Sequence, residues 1–207
     1  MKKVLFFYVF LCAYQCFSQS NWQEFKKLSC PHKTWVLFHL CKAKKAFIVS
    51  KEAQRVTDSI AKTPLLDGDK AGGQVDAFRH AYWMARLREE IGKNAARKLG
   101  KAHEKSNYQK HKKKQLEDGD SPDEVSSKMD LYNNDIGLSL TRKGVPTPKN
   151  GLVYRVINAI LAGDLKVLKK DSLGGFLTCD GEIITKKELQ YKWKNSKCLI
   201  SSEAQIR

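Results

Sequence analysis

Gly72-Gly73-Gln74-Val75-Asp76-Ala77-Phe78-Arg79-His80-Ala81-Tyr82-Trp83-Met84-Ala85-Arg86-Leu87 is the stretch that decides how this chain reads. After two glycines it runs for about four turns without Gly or Pro. Ala77, Ala81 and Ala85 recur at i, i+4 and i+8, which predicts a helix with closely packed neighbours. Asp76 and His80 share a face, roughly 6 Å apart along the axis. Trp83 and Leu87 continue that face. A carboxylate and an imidazole in such a stripe are expected to be buried. Buried groups of this kind need a partner, a hydrogen bond or a metal. Arg79, Tyr82 and Arg86 are expected on the outer face, with Arg79 able to reach an anionic substrate.

N-terminal to this stretch, Met1-Lys2-Lys3, the apolar run Val4 to Ala13 and the small residues Cys16 and Ser18 have the layout of a secretory signal peptide over residues 1–18. The apolar run is too short to span a membrane. Residues 19–42 read as a leader with a short helix from Asn21 to Leu28. Thr34 is expected to cap a long helix ending at Thr63-Pro64, because the residue before Pro leaves the helical region. His32 and His39 have no acidic residue at helical spacing and carry no expected role. Leu65 to Gly73 is a loop.

C-terminal to it, Gly92 is a break and Asn94 a cap for a helix from Ala95 to about Ser106, carrying His103 and Glu104. Lys105 to Asp120 is lysine-rich and expected to be exposed and mobile. Ser121-Pro122-Asp123-Glu124 is a helix start with a capping box, and the helix is expected to end near Lys143-Gly144. Within it, Asp130 and Asn134 are i, i+4 and Asn133 adjoins them. Adjacent asparagines are poor helix formers, so packing or function must compensate. Gly137 lets a backbone or a bound group come close. Leu152 to Leu161 forms a last apolar helix, closing a core of residues 43–163. Residues 164–207 form a tail, with a type I′ hairpin around Asp180-Gly181 and a short helix capped by Thr185 and Glu188.

The fold class expected is therefore mainly α, a helical bundle with a small C-terminal β-hairpin. The 38 basic and 22 acidic residues give a net charge of +16, or +14 once Lys2 and Lys3 leave with the signal peptide. That excess favours anionic partners or surfaces, with nucleic acid among them. No transmembrane helix is expected after signal removal, and the protein is expected to be secreted or periplasmic. Cys30, Cys41, Cys179 and Cys198 remain, and an even count in an oxidising compartment suggests two disulfides. Three connectivities are open, among them the local pairs Cys30–Cys41 and Cys179–Cys198. No zinc-binding spacing occurs among the four.

Asp76, His80, His103, Glu104, Asp130, Asn133 and Asn134 come from three successive helices, and bundle cores host sites built in this way. His80, His103, Glu104 and Asp130 are the expected metal ligands, for a divalent ion such as zinc or manganese. Asp76 would orient His80, while Asn133 and Asn134 would bind substrate or an oxyanion. The order His80, His103-Glu104, Asp130 is loosely similar to the HD phosphohydrolases, with Glu104 where those enzymes carry Asp. Without a metal, His80 or His103 would act as a general base. No Ser lies in a Gly-x-Ser-x-Gly context, which argues against a serine nucleophile.

Asp-Ala-Phe-Arg-His-Ala-Tyr-Trp (76–83), Ala-His-Glu (102–104) and Met-Asp-Leu-Tyr-Asn-Asn (129–134) together resemble a bacterial domain of unknown function. Such domains are similar to those of secreted Bacteroidota proteins and to the C-terminal domains of some YD-repeat, polymorphic-toxin-like proteins. The resemblance spans roughly Ala43 to Gly163 and implies that the seven polar residues form one site. It implies no reaction. The function expected is a secreted hydrolase, metal-dependent, acting on a phosphodiester or phospholipid. The alternatives are a non-enzymatic surface-binding module with a structural polar core and a nucleic-acid-cutting effector.

Overall fold

The computed structural model describes residues 22–117 and 119–205; the expected signal peptide lies outside them. Residues 22–27 are helical. There follow α1 (Cys30–Phe38), α2 (Leu40–Ile60), α3 (Gln74–Ile91), α4 (Lys93–Lys112), α5 (Glu124–Ser139) and α6 (Lys149–Leu161). The tail holds β1 (Lys166–Leu168), α7 (Lys186–Leu189), β2 (Leu199–Ser201) and a closing 3-10 turn (Ser202–Gln205). The chain is mainly α-helical, as its periodicities require. Among the described residues, no helix is long and apolar enough to cross a membrane.

The central helix is α3. Val75, Ala77, Phe78, Ala81, Tyr82, Met84, Ala85 and Leu87 are all fully buried, so α3 is covered on every side. One apolar cluster joins its N-terminal half to α6, the end of α2 and Val167 of β1. A second joins its C-terminal half to Trp35 of α1, Ala46 and Val49 of α2, and Leu99 of α4. Small residues set the closest approach. A Cβ added to Gly137 of α5 would lie 2.2 Å from the Ala81 carbonyl oxygen of α3. The two backbones therefore touch directly opposite the polar stretch.

The start of α3 is capped from a distance. The Asp67 carboxylate accepts the Gln74 amide at 2.7 Å and the Val75 amide at 3.3 Å. Two orphan amides of the first turn are thereby satisfied. Asp123 caps α5 by accepting the Ser126 amide at 2.9 Å, and its carboxylate also meets Lys197 of the tail at 2.7 Å in a buried ion pair. The tail is further held by antiparallel pairing of β1 with β2 and by the Cys179–Cys198 disulfide.

Several local expectations are corrected. Thr34 caps nothing; it lies inside α1 with its hydroxyl on the Cys30 carbonyl, and the break falls at His39. Asn94 is inside α4, which starts at Lys93 and extends through the lysine run to Lys112. The cap of α5 is Asp123 rather than Ser121, and the helix stops at Ser139. Tyr82 and Arg86 face inward: both meet Glu52 of α2, which partners their polar ends. The hairpin around Gly181 is reduced to the isolated bridge Leu177↔Ile183. Its turn has positive φ at Gly181 but at neither Cys179 nor Asp180, so it is not type I′. Thr185 and Glu188 do form their capping box. Cys30 and Cys41 are free and exposed, so one of the two local disulfide pairs is absent.

Gly137→Ala tests the helix contact. Helix propensity favours Ala by about 1 kcal/mol, whereas overpacking against an immovable backbone costs about 1–3 kcal/mol. With a contact of 2.2 Å the steric cost wins. Urea unfolding is expected to show a net loss of about 2 kcal/mol with an unchanged m-value.

Candidate metal centre

Among the described residues, Asp76, His80 and Asp130 form a group whose potential ligand atoms all lie within 4.8 Å of one another. Asp76 and His80 come from adjoining turns of α3, and Asp130 from the facing turn of α5. All three are buried. His80 Nε2 lies 3.2 Å from Asp130 Oδ1 and 3.6 Å from Asp76 Oδ1. Such separations suit metal–ligand bonds of about 2.1 Å around a single ion.

The orientation of His80 is set by Asn134, one turn along α5 from Asp130. Asn134 Oδ1 is 3.2 Å from His80 Nδ1. A carboxamide oxygen only accepts, so Nδ1 carries the proton and donates, and Nε2 presents a lone pair to the two carboxylates. Neither His80 Nε2 nor Asp130 Oδ1 makes a hydrogen bond. Two acceptors 3.2 Å apart in a buried site repel unless a proton or a cation sits between them. Asp76 is tied more firmly: Oδ2 accepts the Gly72 amide at 2.8 Å and Oδ1 accepts Arg79 Nη2 at 2.7 Å. The positive N-terminal end of α3 adds to that stabilisation.

Asp130 and Glu104 both lie where burial and neighbouring carboxylates disfavour a negative charge. Burial, then Glu104 and Asp76, pushes Asp130 well above the usual carboxylate range. Burial raises Glu104 to about 8, with Ser127 and Asn107 pulling it partly back. Burial, then Arg79 and His103, pushes His80 well below its usual value. With no cation between them, the proton therefore sits on Asp130.

The expected site residues divide. Asp76, His80 and Asp130 share the candidate ligand position, Glu104 lies behind Asp130, and Arg79 lies beside Asp76. His103 is close but turned elsewhere: its ring is 6.2 Å from His80 and 5.8 Å from Trp83, and its Nε2 is 3.7 Å from Glu117 Oε1. The ligand trio thus takes Asp76 in place of His103 and Glu104. The roles given to Asp76 and Asn134 are exchanged, since Asn134 orients His80 while Asp76 faces its lone pair. Asn133 does not face the site. Its carboxamide donates to the Lys166 carbonyl and accepts the Lys166 amide, both at 2.9 Å, clamping β1 to α5.

His32 and Glu117 are site neighbours that the sequence did not single out. His32 sits edge-on to His103 at 5.8 Å, and Glu117 also pairs with Lys110 at 3.0 Å. Glu117 lies in the lysine-rich stretch, where composition alone signals an exposed face.

The buried carboxyl gives a signed pH dependence. A folded-state pKa raised above the unfolded value stabilises the fold below the unfolded pKa, and that stability is lost as pH rises through the folded value. For Glu104 the loss runs from about pH 4.5 to about pH 8. Depressed His80 acts oppositely, but only below its unfolded value of 6.5, so the window from pH 6.5 to 8 isolates the carboxyls. In metal-free protein, Glu104→Gln is expected to be near neutral at pH 4.5 and stabilising by about 2 kcal/mol at pH 8. Paired denaturant titrations at the two pH values measure it.

No curated protein and no solved structure gives a match to the chain. A family described as a domain of unknown function, DUF6973, matches residues 33–164, from within α1 to just beyond α6 and including every residue of the site. With well over half of its length matched, the chain belongs to the DUF6973 family.

Proposed function

We propose that the chain is a secreted, metal-dependent hydrolase of an anionic ester, either a phosphodiester or a phospholipid. The observation that carries this reading is the orientation of His80, with Nδ1 on Asn134 and Nε2 turned to two buried carboxylates. Asp76, His80 and Asp130 would hold a divalent ion; one nitrogen and two carboxylate oxygens suit Zn²⁺ or Mn²⁺. Such an ion supplies Lewis acidity and an acidified water. Hydrolysis joins the water oxygen to phosphorus or acyl carbon and breaks the bond to the leaving oxygen. One water proton goes to that oxygen and the other to a base. His103, 3.7 Å from Glu117, would take that second proton. Arg79 would meet the anionic group, and the net positive charge of the chain favours its approach. The signal-peptide layout of residues 1–18 and the Cys179–Cys198 disulfide support an extracytoplasmic setting.

The test is metal loading of the chelator-stripped protein. Elemental analysis is expected to give one Zn²⁺ or Mn²⁺ per chain. An ion at 100 times its Kd adds about 3 kcal/mol, a rise in Tm of about 5–10 °C. Asp130→Asn replaces a protonated carboxyl by a neutral amide that can still donate to His80 Nε2, so its metal-free Tm is expected to be little changed while the metal-induced rise disappears. Chelator-sensitive release of nitrophenol from bis-p-nitrophenyl phosphate or a nitrophenyl acyl ester is expected, and loss of it in His80→Ala. No metal by elemental analysis, with a Tm indifferent to both ions, would overturn the reading. It would leave a protonated Asp130 bonded to His80 as the polar core of a surface-binding module.

A further inference from the structure

The site lies where two cavities of opposite character meet. One is a groove of about 540 Å³ between α1–α2 on one side and α3–α4 on the other. Trp35, Ala46, Phe47, Trp83 and Leu99 give it apolar walls, and His80 and Arg79 line it as well. The other is a notch of about 50 Å³ bordered by Asp76, Asp120, Asp130, Ser126, the 70–72 backbone and two lysines, Lys70 and Lys197, that are paired with Asp58 and Asp123. Arg79, His103 and Glu117 border both cavities. A groove of this volume holds a sizeable ligand, whereas the notch has room for little more than one or two water-sized groups.

We infer that the substrate is an anionic single-chain amphiphile, with its hydrocarbon chain along the groove and its small charged end at Arg79 and the notch. This rests on the hydrolase reading and narrows its substrate class. The bond to be cut would lie at the junction of the cavities, beside His80. Charge and polarity both select this occupant. A nucleic-acid strand needs an extended cationic track for successive phosphates, and the larger cavity is apolar instead. An anionic end is favoured by the divalent ion that Asp76, His80 and Asp130 would hold and by the net positive charge of the chain. The rim fits a lipid source. Phe47 of the groove wall is exposed, with Lys51 over its ring and the exposed Lys44 three residues before it. Exposed aromatics flanked by lysines bind anionic lipid surfaces.

The experiment is calorimetric titration of the metal-loaded, signal-free chain with octyl, decyl and dodecyl phosphate below their micellar concentrations. Inorganic phosphate and dodecyl maltoside are the controls. Affinity is expected to rise about threefold to fourfold per methylene, with the maltoside at least tenfold weaker than dodecyl phosphate. Ala43→Trp and Phe47→Asp, both on the groove wall, are expected to flatten the chain-length dependence. Each should keep its metal-induced rise in Tm, which shows that the fold and the ion site remain. Affinity independent of chain length overturns the inference, and so does maltoside binding equal to that of dodecyl phosphate. A parent chain that binds no metal counts against the hydrolase reading alone; the chain-length series on that same chain still decides the occupant of the groove.

Discussion

The contact between the Ala81 backbone and Gly137 governs the rest of the structure, because it sets how far apart α3 and α5 stand. At that separation His80 reaches Asn134 on one side and Asp130 on the other. A helix pair held one side chain further apart would leave the imidazole in a void or a water-filled gap. Close-packed interiors do not deform by fractions of an ångström without cost. The small residues are thus the reason a histidine and two carboxylates can be forced together.

That proximity is an electrostatic debt the fold carries. Burial raises the proton affinity of both Asp130 and Glu104, and neighbouring carboxylates raise it further: Glu104 and Asp76 for Asp130, Glu117 and Asp76 for Glu104. The central helix offsets part of it. Asp76 near its N-terminus accepts from a backbone amide and from Arg79, so one carboxylate of the trio already has donors while the other is left to a proton or a cation. Unequal environments for two neighbouring carboxyls are a recurring feature of reactive sites.

Much of the fold was legible, because alanine spacing and apolar stripes report burial directly. The burial of α3, the close approach at Gly137 and the Thr185–Glu188 cap all follow from residue types at fixed offsets. Local signals misled where two were in competition. Ser121-Pro122 looks like a helix start, yet Asp123 takes the cap because its carboxylate also meets Lys197, a partner 74 residues away. The lysine run reads as solvated throughout, yet only Lys112 to Lys114 are exposed; Lys110 and His111 are half-buried, and α4 continues to Lys112. At the site, the gathering of the three helices was foreseeable and the roles within it were not. Asn133 and Asn134 differ by one residue, which on a helix is about 100° of rotation. One therefore clamps a strand while the other steers a histidine. His103 and Glu104 part company for the same reason.

The Asp123–Lys197 pair has a consequence for where this domain ends. The family match stops at residue 164, yet the cation that neutralises the α5 cap is supplied from beyond it. Asp123 stands about two turns before Asp130, and Asn133 of the same helix grips Lys166, also outside the match. The mechanical unit is thus larger than the segment the family defines: the tail serves as a buttress for the helix that brings Asp130 to its neighbours.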